Sequence, residues 1–237
     1  MMRVLVTRPE HDAREFEAEL RKRGHEPVSQ PMLSIEFEEG PMLDLQDIDL
    51  VVFTSANGVR AAARRITARS LPVLAVGPAT ASEAERQGFK PVTTIAGEGT
   101  SGIIEHLAAH PGLKGKRLLH ISGADVAGDL VTQAGAMGFS ITRQQLYRAV
   151  AATSLSPALR QHLQQGTLEA ATFFSPRTAK IFCELVGEAG LAARANRVTA
   201  CAISRNAAKS LETLTFRKVL VAQNATASAM LDLLDSL

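Results

Sequence analysis

What most restricts the fold of this chain is a steady alternation. Short, largely apolar, β-branched runs are each closed by a turn and followed by a stretch with helical periodicity. The runs are Val4–Thr7, Leu50–Thr54, Val73–Val76, Val92–Ile95, Leu118–Ser122, Ala171–Phe174, Val198–Ile203 and Val219–Ala222. Strands that are apolar at nearly every position are buried on both faces, and helices between them supply the cover. The pattern therefore predicts an α/β protein with doubly wound parallel sheets.

The alternation also repeats internally. Asp49–Ile66 (DLVVFTSANGVRAAARRI) has the shape of Ala171–Leu185 (ATFFSPRTAKIFCEL), and Val73–Phe89 that of Thr199–Phe216. Val92–Leu107 matches Val219–Leu234. The fourth unit, Leu119–Gly138, finds its partner at the front of the chain, in Leu5–Gly24. A repeat in this permuted order requires the N-terminal strand to complete the sheet begun near Ala171. Two similar domains follow: a discontinuous one from residues 1–35 plus 152–237, and an inserted one from 40–146. The connections at 28–36 and 141–150 are extended and similar in length. They are expected to pair as a two-stranded antiparallel ribbon acting as a hinge.

Composition removes several function classes. With 26 basic and 24 acidic side chains, the net charge of +2 does not suit a nucleic-acid groove, though it allows a local basic cleft. No run reaches the ~18 apolar residues of a membrane span. The start of the chain lacks the layout of a secretory signal, so a cytoplasmic location is expected. Cys183 and Cys201 have no motif spacing and read as small buried hydrophobes in a reducing compartment.

In parallel α/β sheets, ligands sit beyond the carboxyl ends of the strands. The residues there are Thr7-Arg8-Pro9, Thr54-Ser55-Ala56-Asn57, Gly77-Pro78-Ala79-Thr80, Gly99-Thr100-Ser101, Ser122-Gly123, Ser175-Pro176-Arg177, Ser204-Arg205-Asn206 and Asn224-Ala225-Thr226. Singly, each is an ordinary helix cap. Together, helix N-termini converging on one cleft make a field of free N–H groups that favours carboxylates or phosphates. Arg8, Arg177 and Arg205 would add bidentate clamps.

Other signals are weaker. Gly97, Gly99 and Gly102 spell G-x-G-x-x-G, but on the third βα unit of the domain rather than the first, and the next strand ends in Ser122-Gly123 rather than an acid. His106 and His110 are four apart with no acidic third ligand, so no metal is expected. The remaining histidines, His120 among them, are scattered. Tyr147 is the only tyrosine and lies on the expected ribbon. It reads either as a packed hinge aromatic or as a phenol able to donate a proton or hydrogen bond at the cleft.

At these residues the sequence resembles the uroporphyrinogen-III synthase family over nearly its whole length. The matching pieces are VLVTRP at Val4–Pro9, VFTSANGV at Val52–Val59, AVGPATA at Ala75–Ala81, LYRAV at Leu146–Val150 and TFFSPRTA at Thr172–Ala179. The resemblance implies two doubly wound domains, one discontinuous, joined by a two-stranded ladder. It also implies a monomeric enzyme without cofactor or metal that closes hydroxymethylbilane, a linear tetrapyrrole with eight carboxylates, to uroporphyrinogen III. The last ring is inverted through a spiro intermediate and water is lost. Carried over by position, Tyr147 is the candidate acid at the departing hydroxyl. Arg8, Thr54, Ser55, Thr80, Ser101, Ser122, Gly123, Ser175, Arg177 and Ser204 are candidate substrate contacts, Ser122 and Gly123 through backbone donors. At the position matching Thr80 the other domain has Ala207, without a hydroxyl. No nucleic-acid or membrane partner is expected; an unstable substrate makes transient contact with the preceding enzyme of the pathway reasonable. The competing readings are a two-lobed binding module for an anionic small molecule and, from the glycine motif, a nucleotide-dependent oxidoreductase.

Overall fold

The apolar runs and helical stretches take these positions in a computed structural model that describes residues 1–97, 99–125 and 128–237. In chain order the strands are β1 (Arg3–Val6), β2 (Glu26–Ser29), β3 (Leu33–Phe37), β4 (Leu50–Phe53), β5 (Val73–Val76), β6 (Val92–Ile95), β7 (Arg117–Gly123), β8 (Ser140–Ala151), β9 (Ala170–Phe173), β10 (Thr199–Ala202) and β11 (Lys218–Val221). The helices are α1 (Glu10–Lys22), α2 (Ala56–Arg65), α3 (Pro78–Arg86), α4 (Gly99–Ala109), α5 (Leu130–Ala136), α6 (Pro157–Gln165), α7 (Pro176–Glu188), α8 (Arg205–Lys209) and α9 (Ala227–Asp235). The repeat segment Leu119–Gly138 includes Val126 and Ala127, which lie outside the described residues.

Two units result: Met1–Ser34 with Val150–Leu237, and Ile35–Ala149. In the first, the discontinuous unit, the sheet order is β11-β10-β9-β1-β2, with parallel pairing throughout. The N-terminal strand lies beside β9, with Val4 opposite Ala170 and Val6 opposite Thr172, as the permuted repeat requires. In the inserted unit the order is β3-β8-β7-β4-β5-β6. Without β3, it is the first sheet over again: β4, β5, β6, β7 and β8 stand where β9, β10, β11, β1 and β2 stand. In each sheet the chain runs outward one way (β4 to β6, β9 to β11) and returns on the other side of the first strand. The reversal therefore falls between β4 and β7, and between β9 and β1.

Periodicity explains the packing. β4, β5, β9 and β10 are buried at every residue. In β4 the two sides feed different cores. Val51 and Phe53 join Val59 and Ala62 of α2, while Leu50 and Val52 join Ile103 of α4 and Leu130 of α5. Helix α1 buries Ala13, Phe16 and Leu20, opens with Glu10 and Asp12, closes with Arg21 and Lys22, and stops before Gly24 at φ 80°. That charge order suits the helix dipole, and the left-handed Gly ends the helix.

The connecting segments pair antiparallel as expected, but over a shorter stretch, because part of each is taken up by a parallel sheet. Residues 26–29 form a sheet strand, β2, with Pro27 opposite Val4. A short polar strand containing Pro is tolerated because β2 is the edge of its sheet. The first half of β8 pairs parallel with β7, from Ser140 opposite Arg117 to Gln145 opposite Ser122. Only the second half of β8 faces β3. There Glu38 N–H donates to Leu146 C=O, Ala152 N–H donates to Met32 C=O, and Arg148 pairs with Glu36 at 2.6 Å. The progression from 38 with 146 to 32 with 152 is antiparallel. Among the described residues no helix is long and apolar enough to cross a membrane.

Candidate active site

The reversal in the inserted unit gathers polar side chains on both faces of the sheet. On the α2 face, Ser55 is the N-cap of α2 and accepts the Gly58 N–H at 3.1 Å. Its Oγ lies 2.8 Å from the Tyr147 hydroxyl. Tyr147 reaches this place because of a bulge: Ser122 stands opposite Gln145, but Gly123 stands opposite Tyr147. Successive strand residues normally face opposite ways, yet Leu146 and Tyr147 both pack on the core formed with α2. Gly123 is the floor under the ring. A Cβ there would lie 2.8 Å from Tyr147 Cε2 and 2.9 Å from Cζ, so only glycine fits. Ala124 N–H donates to the Tyr147 carbonyl at 2.9 Å and fixes the bulge.

On the α4–α5 face, Thr54 Oγ1 lies 3.2 Å from His120 Nε2. His120 is 1% exposed, and burial, reinforced by the Arg143 charge, lowers its pKa to about 4. Its Nδ1 has no hydrogen-bond partner among the described residues. Arg143, directly across from His120 in the register, donates through Nε to Ser122 Oγ at 2.7 Å and through Nη2 to the carbonyls of Gly123 and Ala124 at 2.7 and 3.0 Å. Ser122 Oγ in turn donates to the Gly123 carbonyl. The Ser122 hydroxyl is thus buried inside this network. In the sequence His120 is one of several scattered histidines and Arg143 belongs to no motif. Their cross-strand pairing was the missing signal, and it needs the register of β8 on β7.

The other candidates of this unit lie further out. Thr80 is buried in the first turn of α3, beyond Gly77 at φ 76°. Ser101 lies exposed in the first turn of α4. The glycine motif has a packing explanation. A Cβ on Gly102 would meet the Ala96 carbonyl at 2.8 Å, and one on Gly97 would meet Gly102 Cα at 3.0 Å. These glycines let the backbone at Ala96 and Gly97 lie against the first turn of α4; Glu98, inside the motif, lies outside the described residues. His106 and His110 stack at 4.0 Å between ring centroids, with His110 Nδ1 donating to the His106 carbonyl at 2.8 Å. Among the described residues no cluster of three metal-ligating side chains occurs.

In the discontinuous unit the reversal is tied by buried hydroxyls. Thr7 Oγ1 donates to the Thr172 carbonyl at 2.7 Å, and Thr172 Oγ1 to the Leu5 carbonyl at 2.9 Å. The Arg8 guanidinium lies 4.4 Å from the centre of the Phe174 ring. Ser175 caps α7 through the Thr178 N–H at 3.1 Å, and Ser204 caps α8 through the Ala207 N–H at 3.2 Å. Arg177 is exposed in the first turn of α7. Both cysteines are buried and free; burial raises the Cys183 thiol and pushes Cys201 up to about 12, which leaves neither reactive.

Each unit is thus an open parallel α/β sheet with polar side chains collected where its strand order reverses, the place at which such domains take ligands. A family model described as uroporphyrinogen-III synthase HemD matches residues 14–232. A uroporphyrinogen-III synthase of Chlorobaculum parvum is 28% identical over 205 residues, 79% of this chain and 80% of that protein. Among solved structures, the uroporphyrinogen-III synthetase of Helicobacter pylori aligns over 100% of this chain and 99% of its own at 16% identity, with a TM-score of 0.67. A mutant uroporphyrinogen III synthase of Thermus thermophilus aligns over 100% and 98% at 18% identity, with a TM-score of 0.53. The structural likenesses establish the fold. The chain belongs to the uroporphyrinogen-III synthase family.

Proposed function

We propose that this chain closes hydroxymethylbilane to uroporphyrinogen III, inverting the last ring and releasing water, as a step of haem biosynthesis. The observation that carries this reading is the family match across residues 14–232. The polar equipment suits it. The bilane carries eight carboxylates. Capped helix N-termini, with Arg8 and Arg177 beside them, are anion-binding groups that need no charge change during reaction. Ser55, Ser175 and Ser204 are such caps; Thr54, Thr80, Ser101, Ser122 and Gly123 are proposed as further contacts, Ser122 and Gly123 through backbone donors.

The chemistry asks little of side chains. The pyrrole nitrogen pushes electrons out through the ring and expels the hydroxyl, and a hydrogen-bond donor on the departing oxygen assists. Tyr147 is proposed as that donor. Ser55 holds its phenol at 2.8 Å, and the cap bond from Gly58 fixes Ser55. Unaided, the bilane closes to the isomer without inversion. The enzyme's larger task is to hold the chain in the geometry that leads to the spiro intermediate. No step of this scheme calls on a cofactor or a metal. The protein is proposed to act as a cytoplasmic monomer that takes its unstable substrate by transient contact with the enzyme producing it.

The test is anaerobic incubation with hydroxymethylbilane, oxidation to porphyrins and separation of the isomers. Type III product is expected well above the buffer control. Type I alone, formed at the uncatalysed rate, would refute the proposal and leave a binding module for an anionic small molecule.

A further inference from the structure

We infer that the cavity beside β7 in the inserted unit is a carboxylate subsite, with Arg143 supplying charge and His120 a directed hydrogen bond. The inference rests on the proposed reaction, whose substrate bears carboxylate arms, and adds a residue-level address for one of them. The cavity measures about 290 Å³, and His120, Asp129, Leu130, Val131 and Arg143 are among its lining residues. It lies on the sheet face opposite the Ser55–Tyr147 contact. Leu118 and Ile141, two residues before His120 and Arg143 on their strands, belong to the core that contains Leu130 of α5. His120 and Arg143 therefore leave the sheet toward the same side.

The chemistry of His120 points to an acceptor. Its Nε2 lies beside the Thr54 hydroxyl, which can donate to it. With Thr54 as the donor, the tautomer on which the inference rests, the ring proton sits on Nδ1, which is buried and has no partner among the described residues. Buried donors without acceptors are rare in folded proteins, and His120 lines the cavity, so a ligand oxygen there would supply the missing acceptor. Burial keeps the ring neutral, so its donor is directional rather than ionic. Arg143 brings the positive charge; its bonds to Ser122, Gly123 and Ala124 use Nε and Nη2, and Nη1 takes no part in them. Asp129 also faces the cavity, but its carboxylate accepts the Thr132 N–H at 3.0 Å. Asp129 keeps its negative charge, so the wall carries one positive and one negative group, which disfavours a phosphate dianion more than a monoanion. Leu130 and Val131 give the methylene groups of an arm an apolar wall.

Two measurements test this. In wild-type protein labelled with ¹⁵N, the His120 ring should show the Nδ1–H tautomer, and titration with sodium propionate should shift its Nδ1 resonance saturably. In steady-state assays with hydroxymethylbilane, Arg143→Met should raise KM about 10-fold with kcat within about 3-fold, as expected for a contact made equally in ground and transition states. Arg143→Lys should recover part of the loss. An Nε2–H tautomer, or no response to propionate, overturns the subsite. Unchanged KM with a fall in kcat overturns it too, because Arg143 would then only clamp the Ser122–Ala124 segment under Tyr147. Propionate binding with unchanged KM assigns the cavity to a free carboxylate and overturns its role as a substrate subsite. Absence of type III product from the wild type would sink the proposed reaction, whatever propionate does.

Discussion

One methyl group at Gly123 tests how Tyr147 is held. A Cβ there would stand 2.8, 2.9 and 3.3 Å from Cε2, Cζ and Cδ2 of the tyrosine ring. Carbon atoms settle at about 3.5–4.0 Å, so the ring must retreat by roughly 1 Å. The glycine is not in the left-handed region, so alanine adds no backbone strain of its own and the cost falls on the ring contact. If that retreat is directed away from Ser55, it takes the phenol, now 2.8 Å from Ser55 Oγ, beyond the ~3.5 Å at which a hydrogen bond ceases to count. Overpacking of this kind costs about 1–3 kcal/mol of stability. If the phenol assists hydroxyl departure from its present position, Gly123→Ala should lower kcat about 10²-fold, the lower end for acid–base assistance.

The control is a double-mutant cycle, read by type III formation and by urea unfolding. In a Tyr147→Phe background the hydroxyl is already gone. Gly123→Ala should then cost less than about 3-fold more in kcat while keeping its full stability penalty, because the ring still collides. Equal losses of kcat in both backgrounds would show that Gly123 acts through something other than the phenol. Wild-type kcat in Gly123→Ala would refute the role of Tyr147 position altogether.

The remaining expectations are simpler. Tyr147→Phe alone should reduce turnover about 10²-fold with little change in melting temperature; activity within a few-fold of wild type would leave Tyr147 as a packed aromatic. Thr80→Ala, a residue type the other unit already carries at Ala207, should cost less than about 1.5 kcal/mol in activation free energy, and complete inactivation would reassign the catalytic role. His120, held at a pKa of about 4 by burial, should make the fold lose about 3 kcal/mol between pH 6.5 and pH 4. The sign follows from the unfolded chain, which takes up the proton first as pH falls. Urea unfolding across that range should show a steeper loss in wild type than in His120→Val, where the carboxylates held low in the fold, such as Asp129 and Asp235, still contribute.

Much of this architecture is legible in the sequence because buried parallel strands leave apolar runs and because the chain repeats itself. The position of β1 beside β9 follows from matching Leu5–Gly24 to Leu119–Gly138. β2 is not legible as a sheet strand, because an edge strand reading Glu-Pro-Val-Ser lacks the apolar run that marks a central one. The caps Ser55, Ser175 and Ser204 are visible as hydroxyl residues ahead of helical stretches. The bulge that brings Tyr147 to Ser55 is not, since it depends on one skipped residue, Leu146, in a register fixed by tertiary pairing. His120 and Arg143 are hidden for the same reason: 23 positions apart in sequence, they become neighbours only once β8 lies on β7.

Laid over one another by strand order and register, the two units differ in their polar groups. Both keep the serine cap after the first strand, Ser55 and Ser175. Where the inserted unit has Thr54, the discontinuous unit has Phe174; where it has His120, the other has buried Val6; where it has Arg143, the other has Ser29. The polar network on that face is therefore not a requirement of the fold, because the same sheet closes without it around apolar residues. A buried imidazole with an unpaired nitrogen weakens a core that valine would fill, so its presence in one unit calls for a functional reason. Arg8 stands at the position of Ser122, its guanidinium spread over the Phe174 ring in the place where the inserted unit has Thr54. The discontinuous unit thus offers Arg8 at its reversal, and the inserted unit a phenol, the hydroxyls of Thr54 and Ser55, a neutral imidazole and the Arg143 guanidinium.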